Sequence, residues 1–233
     1  MLELAVTAAT TLAAASFAGY HAMAPGSQVY GRSLVRGTNP RQLALTFDDG
    51  PNDPHTLRLL EILAKHDVRA TFFLVGRYVQ QRPQIVRDLV KAGHVLANHT
   101  FTHPNLIFCS PLQTRIQLAE CSRAIEDAAG QSPKLFRPPF GGRQPSTLRI
   151  AREMGLEPVM WSVTGWDWEA KPADYVEGKV TGQVKGGDIV LLHDGGHREM
   201  GADRSQTVIA TNNLITRYKA EGYQFVTIPA MDR

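Results

Sequence analysis

The feature that most constrains this chain is a regular alternation of short apolar runs with segments of helical periodicity. Leu43–Phe47, Ala70–Val75, Val95–Ala97, Leu135–Phe136, Pro158–Val163, Ile189–Leu192 and Gln224–Ile228 read as strands. Helical spacing predicts helices over Pro54–Lys65, Pro83–Ala92, Pro111–Ala129, Pro145–Met154, Ala173–Val184 and Asp203–Ala220. Gly93, Gly130, Gly155 and Gly222 stop four of these, while Gly178 and Gly182 weaken the 173–184 segment. Strict alternation of this kind builds βα units and a parallel sheet. The strands are continuously apolar, as expected when both faces are covered. No Gly-x-Gly-x-x-Gly turn follows the first strand, so a dinucleotide-binding sheet lacks its fingerprint. The expected class is α/β, a closed or nearly closed parallel barrel of about seven strands, similar to a TIM barrel.

Composition narrows the function. The 233 residues carry a formal net charge of only +3, spread along the chain, which gives no footprint for nucleic acid. Residues 4–19 are nearly all apolar or small, preceded by Glu3 and by no Lys or Arg. Three readings of residues 1–24 stay open: a signal or anchor without its basic start, an uncleaved membrane anchor, or a helix packed on the domain. Export or weak membrane association is the expectation, with residues 1–41 set apart as an apolar segment and linker. Cys109 and Cys121 are expected to be free. Ser110-Pro111 starts a helix that carries Cys121 roughly 15 Å from its first turn, and a disulfide needs Cα atoms within roughly 7 Å.

In a parallel barrel, side chains just past the C-terminal strand ends converge on one mouth. Here Asp48 and Asp49 follow the first strand, His99 the third, Arg137 the fourth, Asp167 the fifth and His193 the sixth. Adjacent carboxylates after a buried strand repel unless a cation compensates them. A turn or a helix cap explains one of the two aspartates and leaves the other over. His99 and His103 are four apart, a spacing that on a helical turn puts both imidazoles on one side, where they can share a metal. Alone, that pair is a weak signal, since two histidines four apart are more often a solvent-facing helix start. Arg137-Pro138-Pro139-Phe140-Gly141 is a stiff segment that aims Arg137 and the Phe140 N–H. Asp167 lies between Trp166 and Trp168, and His193 ends a buried run. His21, His55, His66, His94 and His197 have no comparable setting and read as structural or surface residues. The set amounts to three metal ligands, a spare carboxylate and a spare imidazole, which is the equipment of metal-assisted hydrolysis.

Together these segments resemble the polysaccharide deacetylases, carbohydrate esterase family 4, or NodB homology domain. Thr46–Gly50, His99–His103, Arg137–Gly141, Trp161–Trp168 and Leu191–Asp194 match its motifs in order, and the likeness runs from about Gln42 to Ile228. The resemblance implies a distorted (β/α) barrel with fewer than eight strands and a catalytic domain over 42–230. It implies that Asp49, His99 and His103 hold one divalent metal ion, zinc or else cobalt or another ion. By the same resemblance Asp48 is the general base and His193 the general acid. Arg137 holds Asp48, Asp167 orients His193, the Phe140 N–H binds the oxyanion, and Trp168 and Leu191 line the acetyl pocket. One departure is Thr164-Gly165-Trp166, where many members carry another acidic residue; Trp166 bears on the shape of the groove.

The implied activity is removal of acetyl groups from N-acetylated amino sugars of a peptidoglycan-like or chitin-like glycan, in the cell envelope. An O-acetyl esterase acting on xylan uses the same residues, and a catalytically silent glycan-binding module is a second class. Asp48 and His193 are not needed merely to hold a ligand, which argues against the silent module. A two-carboxylate glycosidase is excluded, because adjacent aspartates cannot flank a glycosidic bond at the roughly 5–9 Å separation that its mechanism needs.

Overall fold

The computed structural model describes residues 2–233, with side chains from Thr10 onward. Seven strands follow one another through a curled sheet, all parallel: β5 (Glu157–Pro158), β4 (Leu135–Phe136), β3 (Val95–Asn98), β2 (Thr71–Leu74), β1 (Gln42–Gly50), β7 (Asp188–His193) and β6 (Val163–Thr164). An eighth, β8 (Gln224–Phe225), pairs with the start of β1. The helices that cover the sheet are α2 (His55–Lys65), α3 (Gly76–Gln81), α4 (Pro83–Lys91), α5 (Pro111–Ala129), α6 (Pro145–Glu153), α7 (Ala173–Thr181) and α8 (Ser205–Ala220). The expected parallel α/β barrel is therefore present, curled and incompletely closed.

The single strand expected over Pro158–Val163 is instead two strands at opposite ends of the sheet. β5 pairs with β4 and β6 with β7. The residues between them cross the seam where the barrel would close, and there the N-terminal segment takes the place of a strand. Leu34 N donates to Pro158 O (2.9 Å) and Met160 N to Leu34 O (2.7 Å). Arg36 pairs with the buried Asp188 at 2.7 Å, and Gly37 N donates to Gly187 O (2.8 Å). The segment read from sequence as a linker is thus hydrogen-bonded into the fold. An apolar run cannot reveal which edge it pairs with, so the break was invisible in the pattern. The expected last strand also stops early, with Ile228–Ala230 forming a 3₁₀ turn.

Strand periodicity sorts the side chains. Leu43, Leu45 and Phe47 of β1 face the helices, in one core with Phe72, Leu74, Leu192, Leu59 and Leu214. Ala44 faces inward with Phe73, Ala97 and Ile189. Thr46 and Asp48 follow Ala44 in period two, as Leu191 and His193 follow Ile189, so the barrel interior leads directly to the polar mouth. Helix boundaries follow local chemistry. Ser110 and Gln113 form a capping box at the start of α5, and Gly130 ends it at φ 71°.

α1 (Leu2–Met23) is a helix whose described residues are exposed up to Tyr20. It reaches the domain only at its end, where Ala22 is buried. No helix among the described residues is long and apolar enough to cross a membrane, and the side chains of residues 1–9, which include the start of the apolar segment, lie outside the described residues. The fully buried Arg143 ties the helix end down: its backbone N–H donates to Ala22 O, and its guanidinium to Gly141 O, Ala24 O and Ser27 O (3.0, 2.6 and 2.9 Å). Cys109 and Cys121 are both free, and Cys121 is buried in the face of α5 that packs on β2.

Candidate active site

The mouth of the barrel holds a cavity of about 350 Å³. Asp48, Asp49, His99, His103, Phe140, Trp168, Leu191 and His193 line it. Arg137 and Asp167, the other two residues singled out in the sequence, are buried directly behind, against Asp48 and His193. The fold thus brings all ten together. Pro138, Gly141, Trp161, His197 and Arg204 also line the cavity. His197 is a departure from the surface or structural role expected of it. It sits in the loop after β7, where no periodicity places a side chain, and its ring stacks on His103 at 5.1 Å and meets Phe140 edge-on at 5.2 Å.

One wall is built at the end of β1 and the loop after β3. The pairing of β1 with β2 slips between Asp48 and Gly50, and Asp49 adopts φ 74°. This irregularity breaks the strand alternation and lets successive carboxylates face the same mouth. His103 Nε2 lies 3.0 Å and His99 Nε2 3.6 Å from Asp49 Oδ1. One ligand atom from each of these residues lies within 4.8 Å of the others. The four-residue histidine spacing works through an irregular turn, and not the helical one expected. Thr100 and His103 both have positive φ (67° and 63°). Gln117 of α5 accepts from the Phe101 and Thr102 N–H groups, and Thr100 Oγ1 accepts from His103 N.

His99 donates from Nδ1 to the Arg137 carbonyl (2.7 Å), which leaves the Nε2 lone pair toward Asp49 Oδ1 and Asp48 Oδ2, 3.6 and 3.7 Å away. Burial, with the charge of His103 adding to it, drives His99 down to about 4 against the pull of Asp48 and Asp49. Asp49 goes the other way. Burial works to raise it, but His103 beside it and the charges of His193 and His99 hold its carboxyl well below the usual carboxylate range. Asp49 Oδ1 and His103 Nδ1 are nevertheless buried without a well-formed hydrogen bond, although His103 Nε2 stands 3.0 Å from that oxygen. A neutral imidazole lone pair, a second imidazole and an orphaned carboxylate oxygen converging in a buried space are suited to a divalent cation, and the three residues fit one.

Asp48 is held differently. Arg137 Nη1 donates to Asp48 Oδ1 (2.7 Å) and to Thr46 Oγ1 (2.9 Å), and Nη2 donates to Met160 O (2.9 Å). The guanidinium lies 4.0 Å over the Phe73 ring. A fully buried arginine so fixed leaves its carboxylate one orientation. Beside it, the stiff segment turns at Phe140, φ 59°. Gly141 N and Gly142 N close the turn on Pro138 O and Pro139 O, and neither bond uses the Phe140 N–H.

The opposite wall carries His193. Its Nδ1 donates to Asp167 Oδ1 (2.8 Å), while Asp167 Oδ2 accepts from the His193 N–H (2.7 Å) and from Thr207 (2.8 Å). Burial works to lower His193, but the charge and hydrogen bond of Asp167 dominate and lift it to about 9, and the same contacts hold Asp167 below its ordinary value. The imidazole is therefore cationic near neutral pH, with Nε2 left for the cavity. Trp168 packs edge-on against it at 5.4 Å. Asp48 and His193 are register partners on adjacent strands, so one strand pairing sets a buried carboxylate and an imidazolium side by side at the mouth.

The polysaccharide deacetylase family model matches residues 36–159. A chitooligosaccharide deacetylase of Bradyrhizobium is 39% identical over 84% of this chain and 92% of its own. Among solved structures, a peptidoglycan N-acetylglucosamine deacetylase bound to 4-naphthalen-1-yl-N-oxidanyl-benzamide superposes with a TM-score of 0.80 at 35% identity, covering 86% of this chain and 92% of that one. A carbohydrate esterase family 4 pseudoenzyme from Bacillus anthracis gives 0.79 at 33% identity, over 86% of this chain and 68% of that one.

Proposed function

The chain belongs to the polysaccharide deacetylase family, and from that premise we propose that it removes acetyl groups from N-acetylated hexosamines of an oligomeric or polymeric glycan. The observation that carries the reading is the meeting, in one cavity, of a three-residue cation cluster with a paired carboxylate and imidazolium. A divalent ion held by Asp49, His99 and His103, zinc first and cobalt second, would polarise the acetyl carbonyl and acidify a water molecule.

The rest is the work of this chain's residues. Asp48, aimed by Arg137, takes the proton of the attacking water. The Phe140 N–H donates to the carbonyl oxygen as negative charge develops there. Trp168 and Leu191 flank the acetyl methyl. An amine leaves poorly without a proton, and His193 Nε2 delivers one to the sugar nitrogen while Asp167 holds the ring. Acetate and a free amino sugar are the products. The catalytic unit is residues 42–230 together with the segment that seals its seam. We place it in the cell envelope, outside the cytoplasmic membrane, with residues 1–24 as a weak membrane contact through side chains such as Leu12, Phe17 and Tyr20, which stand exposed.

A silent glycan-binding module is the second reading, favoured by the likeness to a pseudoenzyme. Acetate release separates the two. The metal-loaded protein is expected to release acetate from N-acetylglucosamine oligomers or peptidoglycan, and to stop with a chelator. Release from acetylated xylan alone would move the activity to ester cleavage, and no release from any substrate would leave only binding.

A further inference from the structure

Trp166 stands apart from the residues given roles above. Its indole is 42% exposed, and its backbone sits at φ 55°. A bulky residue in the left-handed region is strained, and such strain persists where surrounding structure imposes it. The surroundings do so here. Gln183 grips both sides of Thr164, accepting from its N–H (3.3 Å) and donating to its C=O (2.9 Å). Gly165 N donates to Leu191 O (3.2 Å), and Gly165 lies so close to β7 that a Cβ would stand 2.6 Å from the Leu192 side chain. The turn is seated on the strand that carries His193, and it lifts Trp166 outward.

The indole packs against Trp168 at 5.1 Å with a 36° tilt. Trp168 lines the cavity, whereas Trp166 lies one step outside it. The Lys179 ammonium also lies 6.0 Å from the centre of the Trp166 ring, yet the residue stays 42% exposed, so these contacts leave part of the indole free. The cavity, about 350 Å³, is at the small end of ligand pockets, roughly 300–1,000 Å³. It admits one sugar, and the remainder of a longer glycan must leave across the rim. There the preorganised, half-exposed ring offers an apolar face to the C–H face of a pyranose.

We propose that Trp166 is the platform of a second sugar subsite, which binds the pyranose next to the one being deacetylated and makes this a site for oligomers in preference to free N-acetylhexosamine. This rests on the deacetylase reading for the chemistry in the cavity, but the binding it predicts does not require turnover. The test is calorimetric titration of the metal-free protein with an N-acetylglucosamine pentamer and with the monosaccharide, in wild type, Trp166→Phe and Trp166→Gly. Pentamer affinity is expected to fall roughly tenfold in Trp166→Gly, to be largely kept in Trp166→Phe, and the monosaccharide titration to be unchanged. Glycine adopts positive φ without penalty, so Trp166→Gly should melt at or above the wild-type temperature. Loss of binding in a protein at least as stable distinguishes a ligand platform from a structural residue. With metal restored, KM for the pentamer should rise while kcat holds. Pentamer affinity equal in wild type and Trp166→Gly, or no pentamer binding by wild type, overturns the subsite. Acetate release tested beside it reports separately on the deacetylase reading.

Discussion

The two walls of the cavity each hold a histidine, His99 buried and His193 partly exposed to the cavity, and their surroundings drive the two in opposite directions. His99 gives its Nδ1 proton to a carbonyl, and burial drives it down to about 4. His193 gives its Nδ1 proton to a carboxylate and is lifted to about 9. His99 also has the carboxylates of Asp48 and Asp49 within 3.7 Å of Nε2, yet they do not offset its burial, whereas the directly hydrogen-bonded Asp167 offsets that of His193. A carbonyl orients an imidazole without compensating a positive charge, so His99 is neutral and offers a lone pair. A carboxylate compensates it, so His193 is cationic and has a proton to give. The same side chain is thus fitted to donate an electron pair on one wall and a proton on the other.

Changes that strip a wall of its function should have the largest effect. The double variant His99→Ala/His103→Ala is expected to lose stoichiometric divalent metal, measured by elemental analysis, and acetate release with it. Metal content equal to wild type would remove the ligand assignment. His193→Ala should keep its metal and lose roughly 10²–10⁴-fold in amide cleavage. It should lose far less on an activated aryl acetate, whose leaving group needs no proton. Equal loss on the two substrates would mean that His193 does not protonate the leaving amine.

The aspartates sharpen the contrast within one wall. Asp49→Asn should lose both metal and activity, and Asp48→Asn should keep metal and lose turnover, because Arg137 and not the cation cluster holds Asp48. An emptied site in Asp48→Asn would exchange the two roles. A milder effect is expected from the pair behind His193. His193 is protonated below about pH 9, so activity should fall as pH rises through that value. Asp167→Asn removes the charge that raises it, and the alkaline limb of the kcat profile should move to lower pH with a reduced maximum. An unmoved limb would separate Asp167 from the titration of the acid. The smallest change should come from His197→Ala, which takes only a stacked ring from His103. Metal affinity should weaken by roughly two- to tenfold, with the alkaline limb unchanged. A shifted limb would place His197 on the acid wall.

Much of this site was legible in the chain. Asp48, Asp49, His99, Arg137, Asp167 and His193 each follow an apolar run, and parallel strands deliver such positions to one mouth. Two features have a physical basis that the local pattern does not contain. The His99–His103 spacing succeeds on a loop of positive-φ residues tied to Gln117. The Pro158–Val163 run divides because it crosses the barrel seam. His197 was missed because nothing periodic marks a loop residue. The sequence leaves open whether the N-terminal segment packs on the domain, and Leu34, Arg36 and the carbonyls clamped by Arg143 join it to the barrel.

The sequence alone determined the strand and helix alternation, the parallel α/β barrel and the chemical types gathered at its mouth, because periodicity and residue chemistry are local properties. The tertiary structure decided which partner each histidine has, and hence which offers a lone pair and which carries a proton. It also decided which edge each half of the divided strand joins, and that a strained tryptophan stands at the rim. These depend on groups distant in the chain: Arg137 O is 38 residues from His99, and Asp167 is 26 from His193. A charge state set by burial and by such a partner exists only once the chain has closed around it.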